Sequence, residues 1–411
     1  MTRNVSDSDS VRRQNRGLIL SALRSGGPQS RTALAGITGL SHASVTAIMQ
    51  DLLAQRVVEE LTSPDRADGR LRGRPATLVG FHRAAAYVVL FEVDVNRLRT
   101  SLVDYSGVLV DRIETPVTPQ TFAQTRPSAF FAEHLESLRT RTPKAAQTFR
   151  RIAISVQGIL DRNGGGLKWS PIANLAGTSF ADELAEMTEL PVALYKRGRL
   201  LAEGTRWLDP RLSDASVATV FVGSTVAMGL SQRGSTTGRD MGGATEFGHM
   251  NHVPNGALCR CGMRGCIEAY AADYGILRTS FSVPDTAAPA PAVPSQQFDS
   301  LIKRAEAGDR AATHGFNLAG RAIGFGLSRM MAMFDPSHIL LVGPGARALS
   351  LMRGEIESAL SASLVCSING LPAISAHLDE REPIFRGLMM KALAAVDDVD
   401  VAPNSHALRS A

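Results

Sequence analysis

Hydrophobic positions in the first 60 residues repeat with the spacing of short helices. An apolar stripe marks the first helix: Leu18, Ile19, Ala22 and Leu23. Ser30 predicts the start of a second, short helix, and Ser41 predicts the start of a third. The third helix carries apolar residues at the i, i+3, i+4, i+7, i+8 spacing of one helix face: Val45, Ile48, Met49, Leu52 and Leu53. Three short helices with a tight turn before the third predict a helix-turn-helix unit.

Two strand patterns follow this unit. Residues 57–61 and 77–81 are apolar enough to predict paired strands, and residues 63–75 between them form a polar hairpin rich in Gly, Asp and Arg. The order of three helices and a hairpin predicts a winged helix-turn-helix domain over residues 11–83. Residues 1–10 are polar, and we expect them to be a disordered leader.

The remaining chain predicts an α/β body built in two rounds. Strands at 86–93, 98–104 and 107–114 are followed by helices at 122–140, 180–188 and 198–208 that alternate with strands at 151–156 and 191–195. A second round begins near residue 217 and includes a helix at 310–334 and a strand at 338–342. A meander followed by alternating helices and strands indicates a mixed sheet. We therefore expect two α/β subdomains, at 84–214 and 215–411.

The charge of the chain is concentrated at one end. Residues 1–83 contain twelve arginines, no lysine and seven acidic residues, and the other residues of this 411-residue chain balance. One basic module beside a neutral body predicts that the module binds a polyanion. A helical packing module with a solvated arginine loop is the alternative, but it does not explain where the charge lies.

Double-stranded DNA is therefore the expected partner. Four small polar residues of the third helix are candidates for base contacts: Ser41, His42, Ser44 and Thr46. Three arginines of the hairpin are candidates for phosphate or minor-groove contacts: Arg70, Arg72 and Arg74. One recognition helix reads only a few base pairs, so we expect an inverted-repeat operator and a homo-oligomer, either a dimer or a tetramer.

Candidate metal chemistry lies between Gly242 and Glu268. Three of the four cysteines in the chain fall there, and with one histidine they form the donor set of a closed tetrahedral zinc site. These candidate ligands are His249, Cys259, Cys261 and Cys266. Gly262 and Gly265 allow the short turn that such a site needs. We expect one structural zinc ion per chain, and we expect Cys366, in an apolar run, to be a core residue.

A disulfide framework is the alternative interpretation of these cysteines. The polar N-terminal stretch lacks the apolar core of a signal peptide, and no apolar run approaches the length of a bilayer span. We therefore expect a reduced, soluble, cytoplasmic protein without membrane contact.

The segment E-F-G-H at 246–249, followed by C-R-C-G-M-R-G-C-I-E at 259–268, resembles the signature of the ROK family of repressors, open reading frames and sugar kinases. The N-terminal segment also resembles the winged-helix domain of ROK repressors, in R-R-x-N, S-R-x-x-L-A, G-L-S and G-R-P. The family's sugar kinases lack that domain. The resemblance implies a duplicated actin-like ATPase fold, also called ribonuclease H-like, with a zinc knuckle.

The resemblance also implies an ATP site, which this sequence has altered. In E-V-D-V-N-R-L, Glu92 stands where the family's kinases have aspartate, and Asp94 stands where they have glycine. The second phosphate loop, G-S-T-V-A-M-G, has lost most of its glycines. Lys196 and Arg197 lie where the kinases place the aspartate that accepts the proton of the sugar hydroxyl. We therefore expect a protein without kinase activity.

Four residues match family positions that bind sugar hydroxyls: Asn174, Glu246, His249 and Glu268. His249 is also a candidate zinc ligand, and the two glutamates could instead orient metal ligands. The sequence thus predicts a DNA-binding transcriptional regulator, a repressor in preference to an activator, that responds to a sugar or sugar derivative. The alternatives are a sugar kinase that carries a DNA-binding domain, and a zinc-stapled DNA-binding scaffold that binds no ligand.

Overall fold

The structure is a computed structural model that describes residues 3–61, 77–118, 120–172, 174–212, 215–232 and 244–399. The expected hairpin tip at 63–75, with Arg70, Arg72 and Arg74, lies outside the described residues.

The N-terminal module consists of three helices and a small sheet. Its elements are α1 (Arg3–Gly26), β1 (Gln29–Ser30), α2 (Arg31–Thr38), α3 (His42–Ala54), β2 (Val58–Leu61) and β3 (Leu78–Phe81). The side chain of Ser30 accepts a hydrogen bond from the amide of Ala33, and that of Ser41 accepts one from the amide of Ser44. Both predicted N-caps are therefore confirmed, and β3 pairs antiparallel with β1 and β2.

Helix α1 begins earlier than the sequence pattern indicates. The structure has helix from Arg3 onward, where a disordered leader over residues 1–10 was expected. Once the apolar stripe fixes a helix, each further residue adds one hydrogen bond without a new nucleus. Arg12 pairs with Asp51, and Arg16 donates to Gln55 at 2.8 Å, so side chains of this helix also tie it to α3 and the residue after it.

The first subdomain contains a five-stranded sheet and its helices. Its elements are β4 (Tyr87–Asp94), β5 (Arg97–Asp104), β6 (Leu109–Pro116), α4 (Thr121–Gln124), α5 (Pro127–Arg141), α6 (Pro143–Ala146), β7 (Phe149–Val156), β8 (Ile159–Leu160), β9 (Leu167–Trp169), α7 (Phe180–Thr188), β10 (Val192–Lys196) and α8 (Arg197–Leu208). The helix predicted at 122–140 is divided, because the residue before Pro127 is disfavoured in helical geometry.

The second subdomain repeats this plan. Its elements are β11 (Val217–Val222), β12 (Val226–Ser231), β13 (Ala244–Thr245), α9 (Glu268–Ala271), α10 (Asp273–Ser280), α11 (Ser295–Glu306), α12 (Arg310–Met331), β14 (His338–Val342), α13 (Leu349–Ser361), α14 (Leu364–Asn369), β15 (Ala373–His377) and α15 (Arg381–Val399). Cys366, 5% exposed, lies in its core as expected.

The two large sheets have the same topology. The first has the order β10-β7-β4-β5-β6 and the second the order β13-β12-β11-β14-β15. In each, a three-stranded antiparallel meander is extended by two parallel strands beside its first strand. The mixed, duplicated α/β body predicted from the sequence is therefore confirmed.

Helix α15 follows the second subdomain in the chain but packs against other parts of the protein. Its residues Leu388 and Leu393 share one hydrophobic cluster with Leu90 of β4, Leu200 of α8 and Leu20 of α1. The C-terminal helix thus joins the first sheet, α8 and the N-terminal module, and the expected boundary at 214/215 does not separate two independent cores.

Among the described residues, no single helix is both long and apolar enough to cross a bilayer. The pair α2 and α3 meets the length and composition test together, with a bend of 119° between them.

Candidate functional site

Four side chains from the loop between β13 and α9 converge on one point. The ligand atoms of His249, Cys259, Cys261 and Cys266 all lie within 4.8 Å of one another. Cys261 Sγ is 3.7 Å from Cys266 Sγ, and Cys259 Sγ is 3.8 Å from His249 Nδ1. Tetrahedral zinc with Zn–S bonds of about 2.3 Å would place sulfurs about 3.8 Å apart, whereas a disulfide needs about 2.05 Å. The spacing therefore fits a four-coordinate metal ion and not a disulfide.

The turn that carries the cysteines depends on Gly265. Its φ is +84°, and a Cβ built on it would lie 1.7 Å from the carbonyl oxygen of Val253. The Gly265 amide donates to the Ala257 carbonyl at 2.8 Å, and its carbonyl accepts from Val253 at 3.1 Å. Glycine is thus required at the point where the cysteine loop packs against the chain that precedes it.

Two of the cysteines are in surroundings that disfavour the thiolate form. The hydrogen bond with Cys266, together with burial, raises the pKa of Cys259, and burial raises the pKa of Cys261. A coordinated divalent ion would offset this effect, because a metal-bound thiol loses its proton. One imidazole and three thiolates fit zinc and leave no coordination position for water.

An open cleft lies beside this cluster, between the two subdomains. Its lining residues are Val156, Gln157, Gly158, Trp169, Pro171, Lys196, Arg197, Gly198, Thr225, Val226, Ala227, Met228, Glu246, His249 and Glu268. The carboxyl ends of the parallel strands β7 and β10 lie at this cleft. This is the usual position of a ligand site in an α/β sheet.

Three of the four residues predicted to bind sugar line this cleft. Glu268 is 1% exposed, its Oε2 accepts from the Val226 amide at 3.1 Å, and burial raises its pKa. Its Oε1 lies 3.5 Å from Cys259 Sγ, so this carboxylate also touches the metal cluster. Glu246 and His249 line the cleft as well. Asn174 is exposed in a left-handed turn with φ 61° and is not among the lining residues.

Trp169 and Gln157 are among the cleft residues that sequence reasoning missed. Trp169 places its ring perpendicular to the His249 imidazole, with ring centroids 5.1 Å apart. Gln157 is 6% exposed and donates to Asp94 Oδ1 at 3.0 Å, while its Oε1 is buried without a hydrogen-bond partner. Its position directly after the buried strand β7 was the available signal. The cleft therefore has an apolar ring and an unsatisfied acceptor.

An ion pair crosses the mouth of the cleft. The ammonium of Lys196, at the end of β10, pairs with the carboxylate of Glu246, which precedes the turn to His249. Their side chains are 23% and 43% exposed. The pair joins the first subdomain to the second at the edge of the cleft.

Asp94 and Arg197 form an ion pair beside the cleft. We call these two residues the phosphate side, because the resemblance of the sequence implies a phosphate site there. Arg197 Nη1 lies 3.2 Å from Asp94 Oδ2, and Arg197 Nη2 lies 3.9 Å from Glu380 Oε1. The guanidinium also lies over the ring of Phe221, 4.6 Å from its centroid. Burial favours neutral Asp94, but Arg197 and two hydrogen bonds outweigh it and lower the pKa of that carboxyl. Arg197 is thus neutralised by Asp94, the last residue of β4.

A second buried acid lies next to this pair. Burial raises the pKa of Glu92 to about 7, against the attraction of Arg99, whose Nη1 lies 3.4 Å away. Arg99 also donates to Glu114 at 3.0 Å. The buried carboxylate of Glu92 in β4 and that of Glu114 in β6 thus share Arg99 as their cation.

In the N-terminal module, the predicted base-contact residues share the outer side of α3. Ser41 and His42 are exposed, and Ser44 and Thr46 are partly exposed. The Ser41 hydroxyl caps the helix, and the Thr46 hydroxyl donates to the His42 carbonyl at 2.8 Å. Gln50, one turn beyond Thr46, is exposed and extends this face.

Comparisons with known proteins agree with this arrangement. The chain is 23% identical to the xylose repressor of Bacillus subtilis (strain 168) over 374 residues, which cover 90% of this chain and 93% of that protein. The crystal structure of a ROK family transcriptional regulator, a homolog of the E. coli MLC protein, aligns with a TM-score of 0.73 at 20% identity, covering 93% of this chain and 97% of that one.

A sugar kinase aligns over a shorter part of the chain. A ROK family glucokinase from Streptomyces griseus, in complex with glucose and AMPPNP, aligns with a TM-score of 0.54 at 18% identity, covering 74% of this chain and 98% of that one. The sequence profile of the ROK family matches residues 93–384. By that match, which spans most of the body, this chain belongs to the ROK family.

Proposed function

We propose that this protein is a DNA-binding transcriptional repressor of the ROK type that responds to a small carbohydrate. The N-terminal module carries the proposal. It places a capped helix with an exposed polar face after a short helix, and the two helices are bent by 119°. That angle is typical of a helix-turn-helix, in which the second helix enters the major groove.

The comparisons support this proposal by their extent. A repressor and a transcriptional regulator match this chain over nine-tenths of its length, whereas the glucokinase covers three-quarters. We propose an inverted-repeat operator bound by a dimer or a higher oligomer, with His42, Ser44, Thr46 and Gln50 facing the bases. Arg70, Arg72 and Arg74 are proposed as wing contacts to the DNA backbone or minor groove.

Selection of bound sequences from a random DNA pool tests this function. We expect an inverted repeat, and we expect Arg74→Ala to weaken binding and to reduce its salt dependence by about one phosphate contact. Arg211→Ala is the matched control, because Arg211 is an exposed arginine of the body. Recovery of no preferred sequence would contradict the repressor proposal, and equal effects of the two substitutions would contradict the wing assignment.

The cleft is proposed to hold the effector. Glu246, Glu268 and the unpartnered Oε1 of Gln157 offer acceptors to adjacent hydroxyls, and the Trp169 ring offers an apolar surface to a sugar face. A thermal-shift screen of neutral, amino, phosphorylated and acidic sugars tests this, with Trp169→Leu as the variant that should lose the shift. No shift with any sugar, and no effect of any sugar on operator binding, would favour the ligand-independent scaffold.

We also propose that the protein does not transfer phosphate. Arg197 cannot accept a proton at neutral pH, and its partner Asp94 puts negative charge where phosphate would bind. Loss of a well-placed general base alone commonly costs about 10²- to 10⁴-fold in rate. Hexose-dependent ATP consumption at an ordinary kinase rate would contradict this proposal.

A zinc ion is proposed at His249, Cys259, Cys261 and Cys266, one per chain. Its role would be to hold the cysteine loop, and with it Glu268, against the cleft. Elemental analysis of folded protein checks the ion directly.

A further inference from the structure

Helix α15 makes an ionic contact with a different part of the protein at each end. Glu380, just before its first residue, faces Arg197 of the cleft wall at 3.9 Å. Asp397, in its last turn, receives two hydrogen bonds from Arg24 of α1, at 2.5 and 2.8 Å. At a helical rise of about 1.5 Å per residue, these carboxylates are roughly 25 Å apart. The helix therefore spans the distance from the cleft to the N-terminal module.

The contact at the module end is buried. The side chains of Arg24 and Asp397 are 4% and 8% exposed, and the Tyr105 hydroxyl donates to the same carboxylate at 2.6 Å. The Arg24 guanidinium also lies over the rings of Phe81 and Tyr105, at 5.0 and 5.2 Å from their centroids. Arg24 belongs to the arginine-rich segment that the charge pattern assigns to DNA, yet it faces the body.

Helix α15 is packed closely against α8, the helix that begins at Arg197. A Cβ on Gly204 would lie 1.8 Å from the Pro383 carbonyl oxygen, and a Cβ on Gly387 would lie 2.2 Å from that of Leu200. Lys391 of α15 also pairs with Glu203 of α8 at 2.9 Å. Because the two backbones touch at two levels, a displacement of α8 at the cleft has to move α15 as well.

A buried ion pair contributes little net stability compared with an apolar pair of the same shape, but it demands one geometry. We propose that the Arg24–Asp397 pair, with Tyr105, sets the orientation of the N-terminal module on the body, and that α15 couples this orientation to the cleft wall at Arg197. The inference rests on the proposed DNA binding and extends it. Arg24, Asp397 and Tyr105 act as positioning residues for DNA binding and do not contact DNA.

The test uses the full chain and the operator selected above, in two forms. One form is a single half-site, and the other is a series of inverted repeats with different half-site spacings. A single half-site needs only a folded module, whereas a fixed spacing needs both modules held in one orientation. The variant is Arg24→Met with Asp397→Leu, because an apolar replacement of a buried pair keeps the fold stable.

We expect this double variant to bind the half-site as the unchanged protein does. We expect it to lose its preference for one spacing, with roughly tenfold weaker binding to the best inverted repeat, within the usual range of coupling between sites. Arg24→Lys, which keeps the charge, should retain part of the preference. An unchanged spacing preference in the double variant, while half-site binding persists, would overturn the orientation role.

The coupling to the cleft has its own measurement. Glu380→Gln removes one end contact and Asp397→Asn the other, and substitutions this far apart normally act independently to within about 2.3-fold. For independent effects, the loss of inverted-repeat affinity in the double variant equals the product of the two single losses. We expect it to differ from that product by more than about threefold. Additive effects would overturn the coupling. If the unchanged protein selects no DNA, it is the DNA-binding proposal that fails.

Discussion

The two sides of the cleft use their polar groups differently. On the metal side, His249, the three cysteines and Glu268 form one compact cluster whose donor atoms suit a metal ion. On the phosphate side, Asp94 and Arg197 form an ion pair. A buried charge without a partner is costly, so these two charges are stable there because they neutralise each other. The comparison indicates that the metal side offers donor atoms to a ligand, whereas the charges of the phosphate side serve the framework.

The largest effect should follow from removing a ligand on the metal side. We expect Cys266→Ser to lose the bound metal and to destabilise the fold by several kcal/mol, because apparent zinc binding of order ~10 kcal/mol contributes directly to folding. Metal content and melting temperature measure both effects. Cys366→Ser, at a buried cysteine outside the cluster, is the control and should keep the metal. Full metal content in Cys266→Ser would show that the cluster is not the site.

The next effect concerns the pair on the phosphate side. Arg197→Ala leaves Asp94 and Glu380 without their cation, and breaking a buried pair costs about 3–5 kcal/mol. Urea unfolding measures the loss. Adding Asp94→Asn should recover part of it, since the stranded charge is then removed. Arg141→Ala breaks the exposed pair with Asp111 and should change little. A loss for Arg197→Ala as small as that of the control would mean that the phosphate side is not a structural ion pair.

The buried acid Glu92 should make stability depend on pH. Its pKa is about 7 in the folded protein and near 4.5 when unfolded, so the folded state holds the proton more tightly between these values. Stability contributed by this group is therefore fully present below pH 4.5 and is lost as pH rises toward 7.

Glu92→Gln should remove this loss, which is about 3.5 kcal/mol for a difference of about 2.5 pKa units at about 1.4 kcal/mol per unit. Melting temperature against pH for both proteins checks it. Asp273, whose pKa burial raises to about 6, is present in both, so the difference between the curves isolates Glu92. Parallel curves would contradict the assignment.

The smallest effect on stability should come from the ion pair at the mouth. Lys196 and Glu246 are partly solvated, and exposed pairs contribute roughly 0–1 kcal/mol. Lys196→Met should therefore leave the melting temperature nearly unchanged. A loss of stability as large as that of Arg197→Ala would show that the Lys196–Glu246 pair supports the fold as the Arg197–Asp94 pair does.

Much of this architecture follows from local sequence. Ser30 and Ser41 mark the starts of α2 and α3 because a side-chain oxygen satisfies an otherwise free amide within three residues. The strand β14 and the helix α7 have the predicted bounds, because each is a continuous or periodic apolar run. The metal ligands could be identified because three of them lie within eight residues.

The other residues of the site could not be predicted in this way. Gln157 and Trp169 belong to no motif and become part of the cleft only because the first sheet faces Glu246 and His249 of the second subdomain. Asn174 matches a motif, yet its turn holds it away from the lining. Which residues meet across a cleft depends on how two sheets pack, and no local spacing records that.

The sequence by itself determined the duplicated α/β body, the capped helices of the N-terminal module and the donor set of the metal site. Only the tertiary structure decided that Arg197 neutralises Asp94, and that Arg24 is buried against Asp397 at a separation of 373 residues. Helix caps, apolar periods and ligand spacings act over a few residues and can be identified in one segment. A charged side chain meets its partner only after distant segments pack. Packing is what buries the charge, and a buried charge without a partner costs stability.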